Sequence, residues 1–184
     1  TPPGPHSPAK GRNMAYVALW CTLLLSGVLG ASAVGKARSR DAFVAFTGAV
    51  RTVGGIPARW SRPAAVAVVA AESTLAVLLL VGPARRLAAG GALLLLAAFT
   101  AVLARMLARR DQRPCHCFGS GDAPVAARHV VRNLLLAAGA SVVAAVPGFP
   151  VDIGPLLVCL PAVIAVVGMV VMLDDLALVL RRPS

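Results

Sequence analysis

Long apolar runs alternate with short polar segments along almost the whole chain. The first run, residues 14–34, has 21 residues and no charge. As an α-helix it is about 31 Å long, the thickness of a hydrocarbon core. Similar runs occupy residues 63–84, 87–104, 129–146 and 153–173. Too few residues remain to close a β-barrel, so helices are the spanning elements. The pattern predicts an all-α polytopic membrane helix bundle, with a four-helix core and a fifth C-terminal transmembrane helix.

Two segments outside the runs have distinct compositions. Residues 1–13 are rich in Pro and Gly and lack an apolar period, which predicts a disordered tail. Residues 35–62 interleave six basic residues with Phe43, Val44 and Phe46, a pattern typical of a helix in the membrane interface. The first apolar run is longer than the roughly 7–15 residues of a signal-peptide core, so it is interpreted as a retained helix.

The composition supports a membrane protein and excludes several other classes. Hydrophobic residues make up 58% of the chain, charged residues 14%, and the mean hydropathy is +0.81. Soluble domains are about 45–50% apolar and about 25% charged, so this chain lacks the polar residues to cover a water-facing surface. Four cysteines are too few for a disulfide scaffold. The net charge of +11 is spread between apolar runs, so no nucleic-acid partner is predicted. The expected location is the cell membrane, multi-pass, with the lipid bilayer as partner.

The basic residues are distributed unequally between the two faces of the predicted bundle. Five crossings put residues 35–62 and 105–128 on one face, here called the loop face, and the N-terminal tail on the other. Twelve basic residues fall on the loop face and four on the opposite face, with Arg105 and Arg132 left out as intramembrane. The positive-inside rule therefore predicts that the loop face is cytoplasmic.

The sharpest chemical feature is the motif Cys115-His116-Cys117-Phe118-Gly119, in the predicted loop 105–128. Two thiols two residues apart can form a strained, easily reduced disulfide and exchange with a partner, and nearby arginines favour the reactive thiolate. A soft metal is a second interpretation; copper(I) suits two thiolates better than zinc, which needs four ligands at wider spacing. The third interpretation is that the two cysteines are loop residues without a chemical role.

Charged residues also fall within or beside the apolar runs. Glu72 is the only glutamate and sits within the second run, where an unpaired charge costs about 2.5 kcal/mol or more. Arg105 and Arg132 are its candidate partners. Two roles remain open for Glu72: an ion pair that locks helices, or a contact to a proton or quinone head near the thiols. Lys36, at the end of the first run, is interpreted as an interfacial anchor, with attraction of an anionic headgroup or a thiolate as the alternative.

The remaining cysteines and the small residues of the first run are assigned to packing. Cys21 and Cys159 each lie in an apolar run and are interpreted as small buried hydrophobes. Ser26, Gly27 and Gly30 allow close approach of a neighbouring helix, as small residues do in membranes.

The combination of these residues resembles the MauE family, the methylamine-utilisation membrane proteins within the wider MauE/DoxX redox-associated group. The resemblance covers residues 14–146, which form the predicted four-helix membrane domain. The residues that carry it are Ser26-Gly27, Lys36, Glu72, Cys115-x-Cys117-Phe118-Gly119 and Arg132-Asn133.

The resemblance implies a role in redox maturation of a partner protein. Family members are thought to support disulfides in the small subunit of methylamine dehydrogenase, together with a thioredoxin-like protein. By position, Cys115 and Cys117 are then the redox pair, and Glu72, Arg132 and Asn133 an intramembrane polar set. A membrane quinone is a candidate acceptor by analogy with other four-helix thiol oxidoreductases. Disulfides persist outside the cytoplasm, so this role favours a loop face on the outside. The positive-inside rule, applied to the basic residues, predicts the opposite orientation.

Two rival interpretations stay open beside thiol exchange. One is a non-enzymatic assembly factor that holds a partner, with the cysteine motif as docking loop or copper(I) site. The other is a small-solute transporter with Glu72 and Arg132 in its pathway, which lacks the expected inverted repeats.

Overall fold

The structure is a computed structural model that describes residues 8–109, 127–146 and 159–169, with side chains from residue 13 onward. Its described elements are α-helices and one 3₁₀ turn: α1 (Pro8–Ala37), α2 (Arg40–Thr52), α3 (Ala58–Leu80), the 3₁₀ turn (Gly82–Ala84), α4 (Arg85–Ala108), α5 (Ala127–Ala145) and a short apolar helix, Cys159–Met169. The all-α prediction is confirmed for this part of the chain.

Residues 8–13 differ from the sequence-based prediction. They form the first turns of α1 rather than part of a disordered tail. The physical reason is local: Pro8 stands at the start of the helix, where its missing N–H costs no hydrogen bond, and the good helix formers Ala9, Lys10 and Arg12 follow it. A run of apolar residues indicates only the part of a helix that faces lipid or core, so the polar first turns of α1 were not predicted as helix.

Three described helices are long and apolar enough to cross a membrane: Asn13–Ala37 within α1, Ala58–Leu80, and Gly82–Ala108. Their outward faces are apolar; Leu87, for example, is 83% exposed. A surface of this kind is unfavourable in water and suits the lipid tails of a bilayer. The lengths and apolar surfaces of these helices therefore indicate that the chain is an all-α membrane protein.

The main apolar core joins four helices of the bundle. It lies between α1, α3, α4 and α5 and is built from alanine, leucine and valine. Small residues bring the helices close together: Leu75 Cδ2 lies 2.7 Å from where a side chain on Gly91 would begin, and Val167 Cγ2 lies 2.9 Å from the same point on Gly27. The close-packing role predicted for Gly27 is confirmed, and its neighbour belongs to the Cys159–Met169 helix.

Helix α2 lies between the ends of α1 and α3 and packs on both. Ser39 begins it, since its Oγ accepts a hydrogen bond from the Ala42 N–H at 3.1 Å, the usual N-cap arrangement. One face, with Ala42, Phe46 and Ala49, is buried against the bundle, while the other carries charged residues. The amphipathic helix predicted within residues 35–62 is therefore present.

The opposite end of the bundle is closed by two adjacent arginines. Arg85 Nε donates to the Leu79 carbonyl at 3.2 Å, and Arg86 Nε donates to the Ala144 carbonyl at 3.1 Å. The last carbonyls of a helix have no partner within it, so these arginines satisfy the ends of α3 and α5. Two of the four basic residues counted on this face are thus structural caps.

Candidate functional site

An ion pair lies inside the half of the bundle nearest the loop face. Lys36 Nζ is 2.5 Å from Glu72 Oε1, and both side chains are only 1% exposed. Ser32, one turn before Lys36 on α1, joins the pair: its Oγ accepts from Lys36 Nζ at 2.7 Å and donates to Glu72 Oε1 at 3.1 Å. The lysine and serine from α1 and the carboxylate from α3 thus form one connected hydrogen-bonded group.

Two aromatic rings complete the surroundings of the ammonium group. Lys36 Nζ lies 5.0 Å from the centre of the Phe46 ring and 5.3 Å from the centre of the Phe99 ring. Both distances are within the range of a cation–π interaction, worth about 2 kcal/mol when the cation is removed from water. Since Phe46 comes from α2 and Phe99 from α4, the Lys36 ammonium group connects four helices.

A small cavity of about 30 Å³ adjoins the ion pair. Its polar lining consists of Ser32 and Glu72 on one side and Arg132 and Asn133 from α5 on the other; leucine, valine and phenylalanine form the rest. Glu72 Oε2 is buried and has no hydrogen-bond partner among the described residues. A cavity of this volume can hold one or two water molecules, because each water needs roughly 10–15 Å³ of cavity volume and polar neighbours.

The predicted partner of Glu72 is corrected by this geometry. Arg105 is exposed and points away from the bundle, because Leu103 and Met106 occupy the inward positions of α4. A residue two positions after Leu103 lies about 200° around the helix, on the outer side. The partner is Lys36, which is buried and is therefore not an interfacial anchor.

Helix α5 supplies the other polar residues of the site. Asn133 is buried and Arg132 half-buried, and both line the cavity with Glu72, so the structure brings the three residues of the predicted polar set together. His129, one turn earlier on the same inward stripe, is also buried. His129 was not assigned to this site from the sequence, although its spacing of four from Asn133 is a signal that places both residues on the same helix face.

The cysteines separate into two groups. Cys115 and Cys117, with His116, Phe118 and Gly119, lie outside the described residues. Cys21 and Cys159 are free thiols, and the Cys21 side chain packs against Gly139 of α5. Cys159 is buried, as predicted, whereas Cys21 is half-buried and matches the prediction of a buried hydrophobe only in part. Within the ranges that the structure describes, no three His, Cys, Asp or Glu side chains gather as a metal site.

The chemistry available at this site is proton and hydrogen-bond chemistry. The free Oε2 of Glu72 can accept a proton or a hydrogen bond, and Arg132 and Asn133 can donate across the cavity. A quinone ring does not fit in about 30 Å³, so this cavity does not hold one.

Fold and site together define a helical membrane protein whose bundle encloses a buried ion pair and a polar cavity at one end. The model of the MauE family, described as methylamine utilisation protein MauE, matches residues 14–147. The match covers most of the chain, and the chain therefore belongs to the MauE family. Comparison with curated proteins and with solved structures gave no match.

Proposed function

We propose that this MauE family protein supports disulfide formation or thiol–disulfide exchange in a partner protein, through Cys115 and Cys117. The observation that supports the proposal is the position of the polar cavity. Leu103, five residues before the end of α4, and Arg132, five residues after the start of α5, both line it. The segment that contains the cysteine motif joins these two helix ends, so the motif is connected to the polar end of the bundle.

The exchange itself conserves electrons and protons. When the pair works as an oxidant, a client thiolate attacks the Cys115–Cys117 disulfide, forms a mixed disulfide and releases one cysteine as thiolate. The second client thiolate then attacks the mixed disulfide, so that the client is oxidised by two electrons and the pair is reduced. Protons leave the client thiols and are taken up by the cysteines. A thioredoxin-like protein is the proposed partner that reoxidises the pair, and a membrane quinone would have to reach it from outside the bundle.

In this proposal the chain crosses the cell membrane five times. Helices α1, α3, α4 and α5 form a four-helix core, and residues 153–173 form the fifth crossing. The loop face lies outside the cytoplasm, where disulfides persist. Its arginines then act as contacts for partners or lipids, so their number does not report orientation.

A non-enzymatic assembly factor is the second candidate. The observation that favours it is the size of the interior: a cavity of about 30 Å³ gives an electron acceptor no place beside the polar cluster. In this alternative the bundle holds a partner, and the cysteine motif docks it or binds copper(I).

Thiol labelling in intact cells tests the first proposal. The background protein carries Cys21→Ser and Cys159→Ser, so that a membrane-impermeant maleimide reports only Cys115 and Cys117. We expect labelling only after reduction, as for an external oxidised pair. Labelling without reduction, or only after lysis, would contradict the proposal.

A reconstituted exchange reaction separates the two candidates. Purified protein with an oxidised cysteine pair is mixed with reduced thioredoxin as the model client, and the loss of thioredoxin thiols is measured, because a strained disulfide oxidises the more reducing thioredoxin dithiol. We expect thioredoxin thiols to be lost with the parent and not with Cys115→Ser or Cys117→Ser. No transfer from the parent, together with copper(I) bound by the parent and lost in Cys115→Ser, would support the assembly factor instead.

A further inference from the structure

An open groove of about 800 Å³ runs along α2 on the loop face. The stripe of α2 that lines it carries Phe43, Val44, Thr47 and Gly48, and the ends of α1 and α3 form its other side. This stripe is adjacent to the buried one that holds Phe46, so the groove is a surface feature separate from the cavity around Glu72. Its floor is largely apolar.

Three arginines border this groove: Arg40, Arg51 and Arg62. All three are exposed, and none has an ion pair or side-chain hydrogen bond within the described ranges. The only acid in residues 35–62 is Asp41, while Lys36 is already neutralised by Glu72. The groove therefore presents positive charge that the described protein leaves uncompensated.

The groove also lies at the depth of lipid headgroups. Ala37, the last residue of the first candidate span, lines it, and Arg62 lies in the first turns of the second span. Trp60 is 58% exposed beside it and Val44 68% exposed within it. Exposed Trp at the end of a spanning helix is typical of the membrane interface, and a guanidinium binds phosphate oxygens in paired hydrogen bonds.

We propose that this groove binds an anionic phospholipid. The arginines hold its phosphate, and the apolar floor, with Phe43 and Val44, contacts the glycerol and the start of the acyl chains. A zwitterionic lipid offers the same acyl chains but no net negative charge, so we expect it to bind more weakly. The site does not depend on the cysteine chemistry and can be tested without a client protein.

Native mass spectrometry of the purified full chain measures the binding. The probes are phosphatidylglycerol and phosphatidylcholine with the same acyl chains. Because a basic residue near a membrane surface contributes about 1 kcal/mol, roughly fivefold in affinity, the variant Arg40→Gln/Arg51→Gln/Arg62→Gln should lose phosphatidylglycerol affinity by about tenfold or more. Its weak phosphatidylcholine binding should stay unchanged.

The matched control removes the same charge elsewhere. Arg59→Gln/Arg105→Gln/Arg109→Gln replaces three exposed arginines that do not line the groove, and we expect it to retain most of the phosphatidylglycerol affinity. An equal loss in this control would show unspecific charge attraction and overturn the proposal. So would equal binding of the two lipids by the parent. Displacement of phosphatidylglycerol by millimolar inorganic phosphate would assign the site to a soluble anion instead.

Discussion

Removing the buried lysine should destabilise the bundle far more than removing the carboxylate with it. In Lys36→Met, Glu72 Oε1 keeps only Ser32 as a partner and Oε2 still has none among the described residues. Breaking one side of a buried pair costs about 3–5 kcal/mol, because an uncompensated charge remains. The methionine retains apolar contact with Phe46 and Phe99, so most of the loss is electrostatic.

The double variant separates the charge from the packing. Lys36→Met/Glu72→Gln removes both charges of the ion pair, and replacing both members of a buried pair is often neutral. We therefore expect its stability to return to within about 1 kcal/mol of the parent. The coupling energy is the difference between the stability loss of the double variant and the summed losses of Lys36→Met and Glu72→Gln. We expect it to exceed about 3 kcal/mol, more than a hundredfold in the unfolding equilibrium.

The measurement is unfolding of the purified protein in mixed micelles by increasing dodecyl sulfate, followed by circular dichroism. Arg105→Met serves as control, because it removes an exposed cation and should change the free energy of unfolding by less than about 0.5 kcal/mol. Additive losses in the double variant, or a Lys36→Met protein as stable as the control, would refute the reasoning.

Two further predictions concern the packing of the bundle. Arg86→Gln should lower the free energy of unfolding by about 0.5–1.5 kcal/mol, because the Ala144 carbonyl loses an exposed charged donor that water replaces only in part. Arg86→Lys, without the planar guanidinium, should recover only part of this loss, and an unchanged stability of Arg86→Gln would show that water fully replaces the cap. Gly91→Ala should give a lower melting temperature than Gly90→Ala, since a Cβ at Gly91 meets Leu75 Cδ2 at 2.7 Å while Gly90 has open space; equal melting temperatures would contradict the close approach of α3 and α4.

The helices of the bundle were predictable because membrane helices carry a strong apolar signal. The run at residues 14–34 lies within α1 and the run at 63–84 overlaps α3, and the errors are at polar helix ends. Hydropathy cannot find these ends, because a helix continues into the interface with charged side chains, such as Arg59 and Arg62 in the first turns of α3.

The polar site was only partly predictable. Glu72 stands out in any apolar run, but its partner depends on helix phase rather than on charge. Lys36 follows Leu25, Leu29 and Ser32 at spacings of four, three and four on the buried stripe of α1, a signal that identifies it as inward-facing. In the same way, the position of Arg105 on the outer side of α4 excludes it as the partner of Glu72. The pairing of Lys36 with Glu72 needs the packing of α1 on α3, which no local pattern contains.

The short distance between the paired charges also determines how the site responds to a membrane potential. A whole elementary charge that crosses the membrane changes energy by about 2.3 kcal/mol per 100 mV. Charges 2.5 Å apart span less than a tenth of a core about 30 Å thick, so the pair couples to 100 mV by only about 0.2 kcal/mol. The membrane potential therefore exerts almost no net force on the Lys36–Glu72 pair, and we expect the pair to stay intact in energised and in de-energised membranes.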